Sequence, residues 1–329
     1  MKRKRFGALL LALTLTLSLI APGTCPTVHA MTVLETDTST ASDGCTMLGI
    51  YGSYYSNAKE ALDKINDIRY EACTAGNVPD PRNPERMLTP SDYSPLKWSS
   101  DLERVARIRA AEAGIAYHFM DSGHQRLNQK KISDIVYNGH HSSAEDLSYY
   151  DNKDMIEGIL LWYMEKKDWV NQDSKTTGHY TSIINPNNTY IGLGGFYTEA
   201  TPYPATLAGE LSATSEQGLD ETMLSAPKDV MQKIEVSDDF IKNNLLDGTT
   251  TIETDQATTL TPMVQIQRKS TRKLWMLGTF TYSSSNTAVA KVANTGVVTG
   301  VTDGTATITV RSGNHVIAST EVTVKCAHP

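Results

Sequence analysis

A glutamate stands where an apolar side chain is expected. In the run DNKDMIEGILLWYMEKKDWV, Gly158, Leu161, Trp162, Glu165 and Trp169 share one stripe at helical spacing. A carboxylate on a half-buried face needs a partner, because burying it alone is costly. Lys166 or Lys167 could serve, or the side chain could reach water at the edge of the stripe. Histidines supply other partners. His118 and His124 follow one helical run, His140 and His141 precede Ala144-Glu145-Asp146-Leu147, and His179 stands in Gly178-His179-Tyr180-Thr181. Two imidazoles and two carboxylates converging would suit Zn²⁺ or another divalent cation. A His–Glu pair would suit general acid–base work. These residues are too far apart in the chain for spacing to show whether they converge. No Gly-x-Ser-x-Gly, His-Glu-x-x-His or Cys/His zinc spacing occurs.

The elements that must position them read as helices followed by strands, an α+β order. Residues 57–75 carry Leu62, Ile65, Ile68 and Ala72 at helical spacing, with Gly76 as a stop. Residues 77–98 form a loop with five prolines. Ser100 and Glu103 read as a capping box that opens a second helix. A third spans about 152–170. Residues 175–197, KTTGHYTSIINPNNTYIGLGGFY, read as a β-hairpin turning at 185–188, which puts His179 at the start of its first strand. Residues 201–228, with Pro202, Pro204 and Pro227, show little periodicity and read as a linker or extension. From 229 to 329 short Thr- and Val-rich runs broken by turns indicate a β-sandwich. Fourteen of the fifteen tyrosines precede residue 204, which places any chemistry in the first half.

The ends and the charge bound the function class. Lys2–Arg5, the uncharged run Phe6–Ala21 and the small residues Val28 and Ala30 read as a signal peptide over 1–30, with a mature start near Met31. The run is shorter than the ~20 residues of a spanning helix, and Pro22-Gly23-Thr24 before Cys25 is a poor lipobox. No later segment is apolar enough to form a transmembrane span. Without residues 1–30 the chain has 26 Lys and Arg against 37 Asp and Glu, a formal charge of −11. That excludes nucleic acid and anionic membrane surfaces as partners, since both need a basic face. Export permits disulfides, and Cys45 and Cys73, flanking the first helix, are the expected pair; Cys326 is left over.

Four segments in order resemble the CAP superfamily of cysteine-rich secretory proteins, antigen 5 and pathogenesis-related proteins. They are His124-Gln125-Arg126, Ala144-Glu145-Asp146-Leu147, Trp162-Tyr163-Met164-Glu165 and Gly178-His179-Tyr180-Thr181. The resemblance covers about 55–200, after an N-terminal arm over 31–54. It implies an α-β-α sandwich with a cleft tetrad of His124, Glu145, Glu165 and His179 as metal ligands. Trp162 and Tyr180 would adjoin that cleft, Tyr180 on the opposite strand face from His179. His118 competes for the first position, and Arg126 at the family's offset favours His124. Ala144 and Asp146 stand where the family has Gly and Asn, and Ser182 and Asn185 where its longer motif has Gln and Trp. Residues Ser283–Val292, Thr295–Val301 and Gly304–Ile308 resemble the group 2 bacterial Ig-like domain.

The resemblances imply a secreted, extracellular or cell-surface binding protein rather than an enzyme. It would hold a divalent metal and a lipid, glycan or host surface ligand in the His/Glu cleft, with the Ig-like module at the surface. A metal-assisted or His/Glu-catalysed hydrolase is the first alternative. An adhesin acting through its Ig-like domain is the second.

Overall fold

The computed structural model describes residues 14–15, 31–55, 57–213 and 221–326. The expected signal peptide, apart from residues 14–15, lies outside the described residues.

In chain order the elements are β1 (Met31–Leu34), β2 (Cys45–Tyr54), α1 (Ala58–Thr74), α2 (Ser100–Ala116), β3 (Ala144–Tyr150), α3 (Met155–Tyr163), α4 (Lys166–Val170), α5 (Gly178–Ile184), β4 (Tyr190–Tyr197) and β5 (Ala205–Ser212). Strands β3, β5 and β4 form an antiparallel sheet in that order. Its outer face buries Ile65, Ile68 and Ala72 of α1, Ile159 and Trp162 of α3, and Tyr180, Ile183 and Ile184 of α5 against Ile191, Leu193, Leu207 and Leu211. Its inner face carries α2. A Cβ on Gly192 would lie 2.0 Å from the Glu103 nitrogen, so only glycine lets this helix approach the strand so closely. This is the expected α-β-α arrangement.

Helix α2 is covered on its other side too. Strands β6 (Val230–Ser237) and β7 (Ile241–Asp247) join a second sheet. Past β8 (Thr251–Glu253) and β9 (Ala257–Thr259), β10 (Thr261–Gln267) and β11 (Thr271–Met276) join it as well. Its order is β1-β6-β2-β11-β10-β7. Leu48, Ile50, Ile234, Val236, Val264 and Ile266 of this sheet pack with Ala110, Ala113 and Phe119 in one core. The arm expected over 31–54 is thus a central part of the fold. Its strand β2 pairs with β6 along its length and with β11 at Trp275↔Gly49, and its last residues reach β4 at Tyr54↔Phe196.

The remaining strands are β12 (Thr281–Ser284), β13 (Ala290–Val292), β14 (Val297–Gly300), β15 (Gly304–Ser312) and β16 (His315–Lys325). They form a two-sheet sandwich with β8 and β9: β8-β16-β15-β12 faces β9-β14-β13. The sandwich expected over 229–329 is thus smaller than expected, because residues 230–247 and 261–276 pair into the second sheet instead. Leu260, Val298, Ile308, Val310 and Val322 fill the space between.

Five further expectations are corrected. Residues 178–184 are helical, not the first strand of a hairpin; only the turn at 185–188 and β4 remain of that reading. The reason is tertiary. The Glu165 carboxylate accepts the Tyr180 N–H at 3.0 Å, one of the donors that a helix leaves unpaired in its first turn. The third helix breaks at Met164–Glu165 into α3 and α4. The N-cap of α2 is Ser99, whose side chain accepts the Leu102 N–H; Glu103 is taken instead by Trp98 Nε1, Arg107 and the Leu224 N–H. The 201–228 segment is no simple linker, because it contains β5, the middle strand of the first sheet. Cys45 and Cys73 are both free thiols. Cys45 begins β2 opposite Ser237, while Cys73 is buried beneath α1 at the far end of strand plus helix, so the chain carries the two apart.

Candidate functional site: a His/Glu cleft

His124 is held by the loop after α2. Its N–H donates to Ser122 Oγ at 3.1 Å, and the Gly123 carbonyl accepts from Arg109 Nη2 at 2.9 Å. A Cβ on Gly123 would fall 1.8 Å from the Tyr149 hydroxyl, so the loop closes this far only with glycine there. His124 Nδ1 meets Glu145 Oε1, on β3, at 2.8 Å. On the opposite wall His179 Nδ1, in the first turn of α5, meets Glu165 Oε1 at 2.7 Å. The two imidazole rings stack with centroids 6.4 Å apart and planes 27° apart. The four residues named by the motifs therefore come together. His118 does not join them; it sits in a left-handed backbone conformation (φ 58°) against Tyr117.

The carboxylates lie beneath and the imidazoles above. Side-chain exposure is 4 % for Glu145 and 17 % for Glu165, against 46 % for His124 and 27 % for His179. Glu145 is saturated: Arg109 binds it with Nε at 2.6 Å and Nη2 at 3.2 Å, in addition to His124. Burial alone would raise its pKa, but the Arg109 charge and these hydrogen bonds prevail and hold it down at about 2. Glu165 is likewise committed, to His179 and the Tyr180 amide. Burial pulls the His179 imidazole down, yet the hydrogen bond it donates to Glu165, with the Asp146 and Glu165 charges, outweighs this and leaves the ring above its ordinary value.

This division of labour alters the expected ligand set. Among the described residues no group of three or more His, Cys, Asp or Glu is arranged to hold a metal ion. The donors fit a cation in another way. Each imidazole gives Nδ1 to a carboxylate, which orients the ring and leaves Nε2 facing the cleft, the usual setting of a metal-binding histidine. Two Nε2 atoms would hold the ion and leave its other positions open, while Glu145 and Glu165 act as partners of the ligands. A cation so held supplies Lewis acidity toward a bound oxygen.

Below Glu145 lies a chain of buried charge that the motifs did not point to. Arg109 also binds Glu112 at 2.6 Å; Arg126 binds Glu112 at 2.8 Å and Asp37 at 2.8 and 2.9 Å. Arg109, Arg126 and Glu112 are fully buried. The Arg of the His-x-Arg motif is thus a positioning residue, four pairs from His124. Directly opposite Glu145 in register, Glu210 of β5 is fully buried, and no protein donor bonds to its carboxyl. Burial and the facing Glu145 charge push its pKa well above the ordinary carboxylate range, so it stands neutral against its neighbour. Asp146 is also fully buried, with the Ser182 hydroxyl as partner, and burial pushes it up to about 8. The signal for Arg109 and Glu112 was present as an i, i+3 charged pair in an alanine-rich helix. Glu210 was hidden in the segment read as a linker.

Trp162 lines the cleft as expected, its ring 6.4 Å from His179. Tyr180 does not. Its ring is buried in the outer core, edge-on to Tyr163, because residue 180 lies on the inward side of a helix rather than on a strand. Tyr117, Leu147, Tyr149, Leu161 and Tyr203 complete an open lobe of about 310 Å³ beside His179. The Ser148 and Tyr149 hydroxyls and Trp162 Nε1 are buried there without a protein partner.

Comparison with known proteins agrees with this architecture. The model of the CAP, cysteine-rich secretory protein, family matches residues 62–206, and that of the bacterial Ig-like domain, group 2, matches 240–324. "Venom allergen 5" of Microctonus hyperodae is 22 % identical over 163 residues, 46 % of this chain and 66 % of that protein's own length. A solved structure of Schistosoma mansoni venom allergen-like protein 4 aligns with 50 % of this chain and 96 % of its own, at 12 % identity and a TM-score of 0.30. An intimin C-terminal fragment, solved in complex with the intimin-binding domain of its translocated receptor, aligns with 42 % of this chain and 50 % of its own, at 20 % identity and a TM-score of 0.19. Superpositions that loose carry no argument. Among the described residues no helix is long and apolar enough to cross a membrane. Residues 62–206 are thus a domain of the cysteine-rich secretory protein family, and residues 240–324 a group 2 bacterial Ig-like domain.

Proposed function

We propose that this chain is a secreted binding protein whose CAP domain takes a divalent cation, Zn²⁺ foremost, through Nε2 of His124 and His179. The observation that carries this reading is the pairing of each Nδ1 with a carboxylate, at 2.8 and 2.7 Å, beneath two stacked rings that face solvent. The adjoining open lobe, lined by Tyr117, Leu161, Trp162 and Tyr203, suits an amphipathic lipid or glycan ligand lying beside the ion. Export rests on the cationic start and apolar run of residues 2–21. The Ig-like domain serves as a surface module that presents the cleft.

Calorimetric titration of zinc into the chain lacking residues 1–30 tests the site. One ion should bind at a pH of about 7.5 and bind more weakly at about 5.5, because the ligand must be the neutral imidazole and the His179 pKa is raised. His124→Ala with His179→Ala should abolish binding. Glu165→Gln should weaken it by roughly 10–100-fold without abolishing it, since Glu165 orients a ligand rather than being one. Unchanged affinity in a folded double-histidine variant sinks the assignment.

A further inference from the structure

A second groove lies away from the cleft, where the CAP domain, strand β2 and the β10–β11 hairpin meet. Its volume is about 400 Å³, within the ~300–1,000 Å³ typical of ligand sites. Tyr51, Tyr197 and Trp275 supply aromatic surface; Ser53, Lys153, Glu199, Asp229 and Lys273 supply polar groups. Trp275 pairs with Gly49 in register, and its indole lies beside Tyr51, ring centroids 6.3 Å apart at 42°. Tyr51 is 38 % exposed, a large ring left open on a strand that otherwise buries its apolar residues.

The polar groups are fixed in place around these rings. The Tyr51 hydroxyl donates to Asp229 Oδ1 at 2.9 Å. Asp229 is itself set in a left-handed conformation (φ 54°) at the turn into β6. Lys153 Nζ donates to Ser53 Oγ at 3.2 Å and sits 4.1 Å from the centre of the Tyr197 ring. Lys273 is tethered to Asp247 at 2.6 Å.

We infer that this groove binds a neutral oligosaccharide. Two lysines and two carboxylates line it, so its charge balances and favours neither an anion nor a cation. An acyl chain would strip water from its four charged side chains without offering them a hydrogen bond. Open aromatic faces flanked by charged hydrogen-bonding groups match a sugar, whose axial C–H face is apolar and whose equatorial hydroxyls both donate and accept. Strand β2 pairs with β11 at Leu48 and Gly49 and with β4 at Ser53 and Tyr54, so the edge left between them, Ile50–Gly52, is too short for a peptide strand to extend.

The test uses the chain lacking residues 1–30, titrated with chitotetraose, cellotetraose and mannotetraose at millimolar concentration, followed by tryptophan emission and calorimetry. At least one should bind. Trp275→Ala and Tyr51→Ala should each weaken it tenfold or more, Trp275→Phe should retain most of it, and His124→Ala with His179→Ala should leave it unchanged. The last result separates this groove from the His/Glu cleft. If Trp275→Ala does not fold, the exposed Asp229→Asn substitution, which the left-handed backbone accepts, should still weaken binding at unchanged melting temperature. No binding by any tetrasaccharide, or binding indifferent to Trp275, Tyr51 and Asp229, overturns the inference. So does loss of binding in the double-histidine variant.

Discussion

Replacing Asp146 by Asn should stabilise the protein, and by an amount that depends on pH. Asp146 is fully buried, bonded to the Ser182 hydroxyl, with Glu145 and Glu165 raising its pKa further. Its pKa rises from the ordinary 3.8 to about 8, so between those values the folded chain holds a proton that the unfolded chain has released. Stability present below pH 3.8 is therefore lost as pH rises through 8, at about 1.4 kcal/mol per pH unit. At pH 7 the loss reaches about 4 kcal/mol. Asn keeps the shape and the bond to Ser182 and has no proton to lose. Urea unfolding of both proteins across pH 4 to 9 measures the difference directly, since every other titrating group cancels. The gap should be small near pH 4, widen steadily and level off above 8. A gap independent of pH would show that Asp146 is ionised in the fold and would refute the argument.

Four further outcomes follow from the same geometry. Glu112→Gln should cost about 3–5 kcal/mol in urea unfolding, because it strips a shared partner from two buried arginines. In acid, Glu145, held at about 2, contributes stability that is present above its unfolded value of 4.5 and lost as pH falls toward 2; opposed to Asp146, it puts the stability maximum near pH 4–5, which a pH series of melting temperatures would locate. Gly123→Ala should drive the His124 loop off the Tyr149 hydroxyl and lower zinc affinity more than it lowers the melting temperature. Alkylation followed by intact mass should label Cys326 fast, Cys45 next and the buried Cys73 only on unfolding; a native chain two mass units light would restore the bridge.

Local pattern reached far in this chain. The apolar spacing of Ile65, Ile68 and Ala72 placed α1 within a residue at each end. The four motifs named the cleft residues, because each motif is short and carries its own residue types. Where local pattern failed, a distant partner had overruled it. GHYTSII alternates as a strand does, yet the Glu165 carboxylate holds the Tyr180 amide in a helix turn. ATLAGELS, bracketed by prolines, looked like a connection until β3 and β4 closed on both its edges. Glu165, equally ready to pair with Lys166 or Lys167, chose His179.

By itself, then, the sequence determined the module order, the first two helices and the identity of His124, Glu145, Glu165 and His179. The helices rest on spacing within a few turns of chain, and the four residues on motifs that resemble those of a known family. Only the tertiary structure paired each imidazole with a carboxylate. It alone built the Arg109–Glu112–Arg126 chain, set Glu210 against Glu145, and wove strands β1, β2, β6, β7, β10 and β11 into one sheet around the groove at Trp275. Burial is the physical reason: the charge state and partner of a side chain depend on what water is kept from it, and that is settled by elements up to two hundred residues apart.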